Sequence, residues 1–126
     1  MAEGGSKLKI LLIEDDAFMV DLLSKELGVF GYQIEIAKTG LEGMDKFHIL
    51  KPDLVLLDIL LPDQNGFDVL RQIRRDPEGR ETKVLILSNL DKRSDLEEAK
   101  RLNAIDYLVK ANFSLSEIVA KIRGVL

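Results

Sequence analysis

Four short apolar segments of this 126-residue chain each end in side chains that can do chemistry. The first ends in Glu14-Asp15-Asp16, the second in Asp58, the third in Ser88 and the fourth in Lys110. Segments rich in Val, Ile and Leu without strict alternation are typical of strands buried on both faces of a parallel sheet. The carboxyl ends of parallel strands share one edge, where open α/β folds place their chemistry. The sequence therefore predicts one site that contains acids, a hydroxyl and an amine.

The acids of this predicted site are Glu14, Asp15 and Asp58. Two like charges about 4 Å apart repel by about 4 kcal/mol at an effective dielectric constant of roughly 20, so clustered carboxylates need a cation or raised pKa values. Mg²⁺ suits such a set because it accepts a few carboxylate ligands and retains water and a phosphate oxygen. Lys110 would add a positive charge and Ser88 a hydrogen-bond donor. Together these groups indicate a phosphoryl pocket in which a carboxylate can be the nucleophile.

The segments between the strands have helical periodicity, and strands and helices alternate along the chain. Each of five predicted strands is followed by a predicted helix, and the strands lie near residues 8–13, 33–37, 54–57, 83–87 and 105–109. Such alternation with short connections predicts a parallel sheet with helices on both faces and right-handed crossovers. We predict one domain from residue 8 to residue 126, preceded by a flexible lead-in at residues 1–7.

The helix sequences add local predictions. The first helix should bury an apolar stripe formed by Phe18, Leu22, Leu23 and Leu27. Ser94 and Ser114 should each begin a later helix, because a Glu follows three residues after each of them, which is the spacing of a capping box. Asp16 should cap the first helix and lie outside the metal site.

Composition restricts the class of protein. Hydrophobic residues make up 46% and charged residues 32% of the chain, which allows a full core and disfavours disorder. No apolar run approaches the roughly 20 residues of a membrane span, and residues 1–7 lack the apolar core of a secretory signal. The chain has no Cys, which excludes disulfides and thiolate metal sites and fits a cytoplasmic protein. The net charge of −4 argues against direct nucleic-acid binding.

Several motifs together resemble the receiver domain of two-component response regulators, which has a flavodoxin-like fold of the chemotaxis-regulator type. The resemblance covers the chain after the lead-in and rests on these motifs in order: Ile10–Asp16, Pro52–Asp58, Leu61-Pro62-Asp63 up to Gly66, Ile86-Leu87-Ser88 and Asp106–Lys110. It implies an α/β fold, a doubly wound (βα)5 sandwich with five parallel strands in the order 2-1-3-4-5.

The resemblance implies a role for each residue of the site. Asp58 would accept a phosphoryl group from a phosphohistidine on a histidine kinase or a histidine phosphotransfer protein. Glu14 and Asp15 would hold Mg²⁺ together with Asp58 and the backbone carbonyl of Leu60. Lys110 would pair with Asp58 before phosphorylation and with a phosphoryl oxygen afterwards.

The resemblance also implies a conformational switch. Ser88 would move to hydrogen-bond the phosphoryl group, and Tyr107 would turn from solvent into the space that Ser88 leaves. Charge-assisted hydrogen bonds would favour the second state. The face built from the fourth helix, fifth strand and fifth helix would then bind a downstream effector protein, act on an output domain outside this sequence, or form a homodimer. Such a domain promotes its own phosphorylation and dephosphorylation and is not an enzyme with an external substrate.

Two positions depart from the residues that are usual in this family. Ala111 follows Lys110, where a proline after a cis peptide bond is common. Because a cis bond before a non-proline residue costs about 2.5–4 kcal/mol, we predict a trans bond here. Asn89 follows Ser88, where a small residue such as Ala is usual. We expect Asn89 either to hinder the inward position of Tyr107 or to hydrogen-bond across the site.

Two other functions are compatible with parts of the sequence. One is a pseudo-receiver that binds proteins without being phosphorylated. The complete set of acids, hydroxyl and lysine argues against it, whereas Asn89 and Ala111 keep it open. The other is a Mg²⁺-dependent phosphohydrolase with an aspartate nucleophile. Such enzymes usually carry a second acid two residues after the nucleophile, where this chain has Leu60, and a cap for which this chain has no room.

Overall fold

The computed structural model describes residues 7–126, in which five strands alternate with five α-helices. The strands are β1 (Lys9–Ile13), β2 (Gln33–Ala37), β3 (Leu54–Leu57), β4 (Lys83–Ser88) and β5 (Asp106–Val109). The helices are α1 (Ala17–Gly28), α2 (Gly40–Leu50), α3 (Gly66–Arg75), α4 (Arg93–Arg101) and α5 (Leu115–Val125). Two 3₁₀ turns, Pro77–Gly79 and Lys110–Asn112, precede β4 and follow β5. The predicted lead-in lies outside the described residues except for Lys7.

The five strands form one parallel sheet in the order β2-β1-β3-β4-β5, as predicted. The chain first adds β2 on one side of β1 and then adds β3, β4 and β5 on the other side. The direction of strand addition therefore reverses between β1 and β3. In open α/β sheets this reversal leaves a crevice at the carboxyl edge, where ligands bind.

Two apolar cores cover the two faces of the sheet. One core packs α2, α3 and α4 against the sheet, and the other packs α1 and α5 against its opposite face. The residues of β3 alternate between them: Leu54 and Leu56 join the second core, and Val55 and Leu57 join the first. This two-sided burial is the reason that the strands contain continuous apolar runs. It also stabilises the sheet that carries the carboxyl edge, since burying one such side chain contributes about 1.5–3 kcal/mol.

The buried side of α1 differs from the prediction. Val20, Leu23 and Leu27 are buried, whereas the side chain of Phe18 is 72% exposed. Leu22 is half-buried. Because each helical residue turns by about 100°, Phe18 lies about 200° around the helix from Val20 and thus on the side opposite the core.

The start of α4 also differs from the prediction, whereas the start of α5 confirms it. Lys92 is the N-cap residue of α4, and its N–H donates to the carboxylate of Asp95 at 3.2 Å, so Ser94 lies inside the helix. At α5, the Ser114 hydroxyl accepts the N–H of Glu117 at 3.2 Å. No helix within residues 7–126 is long and apolar enough to cross a lipid bilayer.

Candidate functional site

The register of the sheet brings the predicted site residues to one edge. Ile13 of β1 lies beside Leu57 of β3, so the residues that follow them, Glu14 and Asp58, leave the sheet side by side. Ser88 ends β4 on the other side of β3. This is the carboxyl edge, and Glu14 and Asp58 flank the point between β1 and β3 where the strand order reverses.

Glu14, Asp15 and Asp58 form a cluster of carboxylates at this edge. One oxygen from each carboxylate lies within 4.8 Å of the other two. Glu14 is only 1% exposed and Asp58 6%, whereas Asp15 is open to solvent. The backbone positions Asp58, because its N–H donates to the carbonyl of Ile13 at 3.0 Å. The N–H of Leu60 in turn donates to Asp58 Oδ1 at 3.3 Å.

Lys110 brings a positive charge into the acid cluster. Its Nζ lies 2.5 Å from Glu14 Oε1 and 3.3 Å from Asp58 Oδ2, and its side chain is 12% exposed. Burial acts to lower the pKa of Lys110. The hydrogen bond to Glu14 and the charge of Asp58 outweigh burial and leave that pKa above its ordinary value. Lys110 is therefore a cation that bridges the two buried carboxylates.

The single positive charge of Lys110 does not neutralise two buried carboxylates, and the raised pKa of Glu14 reflects the excess negative charge. Burial raises the pKa of the Glu14 carboxyl to about 7; the hydrogen bond from Lys110 opposes this effect, and the charge of Asp58 reinforces it. A divalent cation would offset the excess negative charge, and clustered carboxylate oxygens are ligands of the type that Mg²⁺ prefers. The side chains of Glu14, Asp15 and Asp58 therefore fit the predicted metal. The carbonyl of Leu60 as a further ligand stays a prediction.

Ser88 and Tyr107 contact the same residue of the loop between β4 and α4. Ser88 is fully buried, and its Oγ accepts the N–H of Leu90 at 3.3 Å. The hydroxyl of Tyr107 donates to the carbonyl of Leu90 at 2.6 Å. Burial is the largest cause that raises the pKa of Tyr107 to about 12. The ring is half-buried and packs against the core that contains α4.

The two departures from the family's usual residues meet in space. The peptide bond between Lys110 and Ala111 is trans, as predicted, and residues 7–126 contain no cis peptide bond. Asn89 Oδ1 accepts the N–H of Ala111 at 3.1 Å. Of the two effects expected of Asn89, the structure therefore contains the hydrogen bond across the site.

Asp16 lies outside the acid cluster, as expected, because its carboxylate caps α1. Asp16 Oδ1 accepts the N–H of Phe18 at 3.0 Å and of Met19 at 3.3 Å.

The sequence reasoning missed how the loop between β3 and α3 is held. Asp63 in this loop accepts the N–H groups of Gly40 and Leu41 at 2.8 and 3.0 Å, and so caps α2 from another element. Gly66 packs so closely that a Cβ atom there would lie 2.4 Å from the carbonyl oxygen of Asp58. The sequence contains the spacing Asp63-x-x-Gly66, but that spacing by itself predicts only a turn.

Residues 10–123 match the model of the response regulator receiver domain, and the chain belongs to this family. The transcriptional regulatory protein TrcR of Mycobacterium tuberculosis is 36% identical over 122 residues, which are 97% of this chain and 46% of TrcR. The chain spans about half the length of the curated relatives that it matches. The family that the sequence resembles is thus confirmed.

Solved structures agree with this membership. The non-phosphorylated receiver domain of HemR from Leptospira biflexa superposes with a TM-score of 0.88 at 31% identity, covering 94% of each chain. The phosphorylated cyanobacterial phytochrome response regulator RcpA superposes with a TM-score of 0.82 at 26% identity, covering 95% of this chain and 91% of RcpA.

Proposed function

We propose that this receiver domain accepts a phosphoryl group on Asp58 in a Mg²⁺-dependent phosphorelay reaction. The observation that carries the proposal is the contact of Lys110 Nζ with Asp58 and Glu14 inside a cluster of three carboxylates. The phosphorylated state of the similar protein RcpA supports it. The exposed, apolar Leu60 two residues after Asp58 disfavours the phosphohydrolase alternative, because that mechanism needs an acid there.

The proposed reaction is an attack of the Asp58 carboxylate on a phosphohistidine. A bond forms between an oxygen of Asp58 and phosphorus while the bond from phosphorus to the imidazole nitrogen breaks. The products are an acyl phosphate on Asp58 and a histidine that takes up a proton. Lys110 already contacts Asp58 Oδ2 and can follow the added negative charge onto a phosphoryl oxygen. Mg²⁺ held by Glu14, Asp15 and Asp58 would neutralise charge on the same oxygens.

We infer that Ser88 couples phosphorylation of Asp58 to the α4–β5–α5 face. A Ser88 hydroxyl that bonds a phosphoryl oxygen gives up its contact with the N–H of Leu90. The Tyr107 hydroxyl then remains as the side-chain tie to Leu90, and α4 begins three residues later at Arg93. Movement at Ser88 is thereby coupled, through Leu90, to the α4–β5–α5 face.

The proposal includes partners on both sides of the phosphorelay. A cytoplasmic histidine kinase or histidine phosphotransfer protein supplies the phosphoryl group. The α4–β5–α5 face acts on a downstream effector protein, on an output domain, or on a second copy in a homodimer. The similar protein TrcR is a transcriptional regulatory protein about twice as long as this chain, which supports an output in the control of transcription.

The test is the intact mass of the protein after incubation with acetyl phosphate, with and without Mg²⁺. We expect one added phosphoryl group that depends on Mg²⁺ and is absent in Asp58→Asn. Asp91→Asn, which changes an exposed carboxylate of the loop before α4, is the matched control and should be phosphorylated normally. If the wild type takes up no phosphoryl group and beryllofluoride does not change its NMR spectrum, the pseudo-receiver alternative is correct. A phosphoryl group that persists in Asp58→Asn would place the acceptor elsewhere.

A further inference from the structure

We infer that Asn89 is a positioning residue for Lys110 and acts through the backbone of Ala111. The inference rests on the proposed function, because it concerns the lysine that meets the phosphoryl group. Asn89 lies in the loop after β4, and Ala111 lies in the 3₁₀ turn after β5, 22 residues further along the chain. The 3.1 Å hydrogen bond from the Ala111 N–H to Asn89 Oδ1 joins these two loops beside the site.

The turn that carries Lys110 has few other ties. Strand pairing between β4 and β5 ends where Ser88 lies beside Val109. The turn Lys110–Asn112 has no side-chain cap, and its internal hydrogen bond, from the N–H of Phe113 to the carbonyl of Lys110, is long at 3.4 Å. The first N–H groups of a helical turn have no partner within it. Asn89 supplies that partner immediately after the paired strand ends.

The position of Ala111 matters because Lys110 must reach two acids at once. Its Nζ contacts Glu14 and Asp58 at 2.5 and 3.3 Å, so a small rotation of the turn would remove one contact. A hydrogen bond on the adjacent peptide group restricts that rotation. Asn89 thus acts on the lysine through the backbone of Ala111.

The same bond explains why this chain departs from its family at two positions together. Proline at position 111 would have no N–H to donate, and alanine at position 89 would have no side-chain acceptor. Asn89 provides the acceptor of this hydrogen bond and Ala111 provides the donor. The two residues therefore form one interaction that orients Lys110, and they are not two independent losses that would indicate a pseudo-receiver.

The first test is a double-mutant cycle on the full chain, in which the rate of phosphorylation by acetyl phosphate is measured at saturating Mg²⁺. We expect Asn89→Ala and Ala111→Pro each to slow phosphorylation by about three- to tenfold, the worth of one hydrogen bond. The double variant should be no slower than the slower single variant, because all three lack the same bond. An unchanged rate in Asn89→Ala, or losses that multiply in the double variant, would overturn the inference.

The second test does not depend on phosphorylation. In the NMR spectrum of the unmodified protein, Asn89→Ala should speed hydrogen exchange at the Ala111 amide by about three- to tenfold and shift the Cε resonance of Lys110. Asn112→Ala, a matched change in the same turn at a side chain without a hydrogen bond in residues 7–126, should do neither. Unchanged Ala111 exchange and an unchanged Lys110 resonance in Asn89→Ala would refute the positioning role. A wild type that takes no phosphoryl group would refute the proposed function, while the NMR result would still decide the role of Asn89.

Discussion

The raised pKa of Glu14 predicts that this residue destabilises the metal-free fold at neutral and alkaline pH. Glu14 is almost fully buried, and its carboxyl titrates at about 7 because burial outweighs the hydrogen bond from Lys110. Glu14→Gln keeps the shape and an oxygen that can accept from Lys110, but it cannot become charged. The substitution therefore separates the cost of the buried charge from the packing of the side chain.

The magnitude follows from the two pKa values. The unfolded chain loses the Glu14 proton near 4.5 and the folded protein near 7. Between these values the folded state binds a proton that the unfolded state has lost, so stability falls as the pH rises. Below about pH 4 both states are protonated and there is no effect. Since each pKa unit is worth about 1.4 kcal/mol, Glu14→Gln should stabilise the metal-free fold by about 3 kcal/mol at pH 8 and by under about 1 kcal/mol at pH 5.

The assay is urea denaturation in EDTA at several pH values between 5 and 8. Glu81→Gln, which changes an exposed carboxylate, is the matched control and should follow the wild type throughout. Saturating Mg²⁺ should stabilise the wild type more than Glu14→Gln, because a bound ligand stabilises the state that binds it. If the wild type and Glu14→Gln keep a constant difference in unfolding free energy from pH 5 to pH 8, then burial does not raise the Glu14 pKa.

Three further substitutions test the packing of the fold by urea denaturation. Gly66→Ala should destabilise the fold by about 1–3 kcal/mol, because the new Cβ would lie 2.4 Å from the Asp58 carbonyl oxygen. Arg74→Lys should cost at least about 2 kcal/mol, because the Arg74 guanidinium donates to four backbone carbonyls that an ammonium cannot reach together. Tyr107→Phe should cost about 1 kcal/mol, since it removes the hydrogen bond to the Leu90 carbonyl.

Each of these substitutions has a matched control elsewhere in the chain. Gly124→Ala adds a Cβ with no atom within 4 Å and should not destabilise α5. Arg75→Lys and Tyr32→Phe change side chains that make no hydrogen bond within residues 7–126, and both should be nearly neutral. A Gly66→Ala protein as stable as the wild type would show that the loop can retreat from Asp58. Losses in Arg74→Lys or Tyr107→Phe no larger than in their controls would show that those hydrogen bonds are replaced by water.

The sequence pattern determined the strand positions and the membership of the acid cluster, and the family resemblance implied the strand order. Strands such as β3 could be located because burial on both faces requires an uninterrupted apolar run. Glu14, Asp58 and Ser88 could be assigned to one edge because parallel strands all end on the same side. The strand positions and the shared edge need only the local pattern and the parallel alternation of strands and helices that it implies. The start of α5 belongs with them, because Ser114 and Glu117 cap it within a single turn.

Only the tertiary structure decided which side of a helix is buried and which contacts form between distant segments. The spacing of Phe18 suited a buried stripe, but α1 packs on the side that carries Val20. The hydroxyl of Tyr107 finds its partner in a carbonyl 17 residues away in the chain. The pairing of Asn89 with Ala111 was likewise open, because a residue type predicts a donor or an acceptor but not its partner. Partners across loops are set by how the packed elements approach one another, and that geometry exists only once the sheet and both helical layers are assembled.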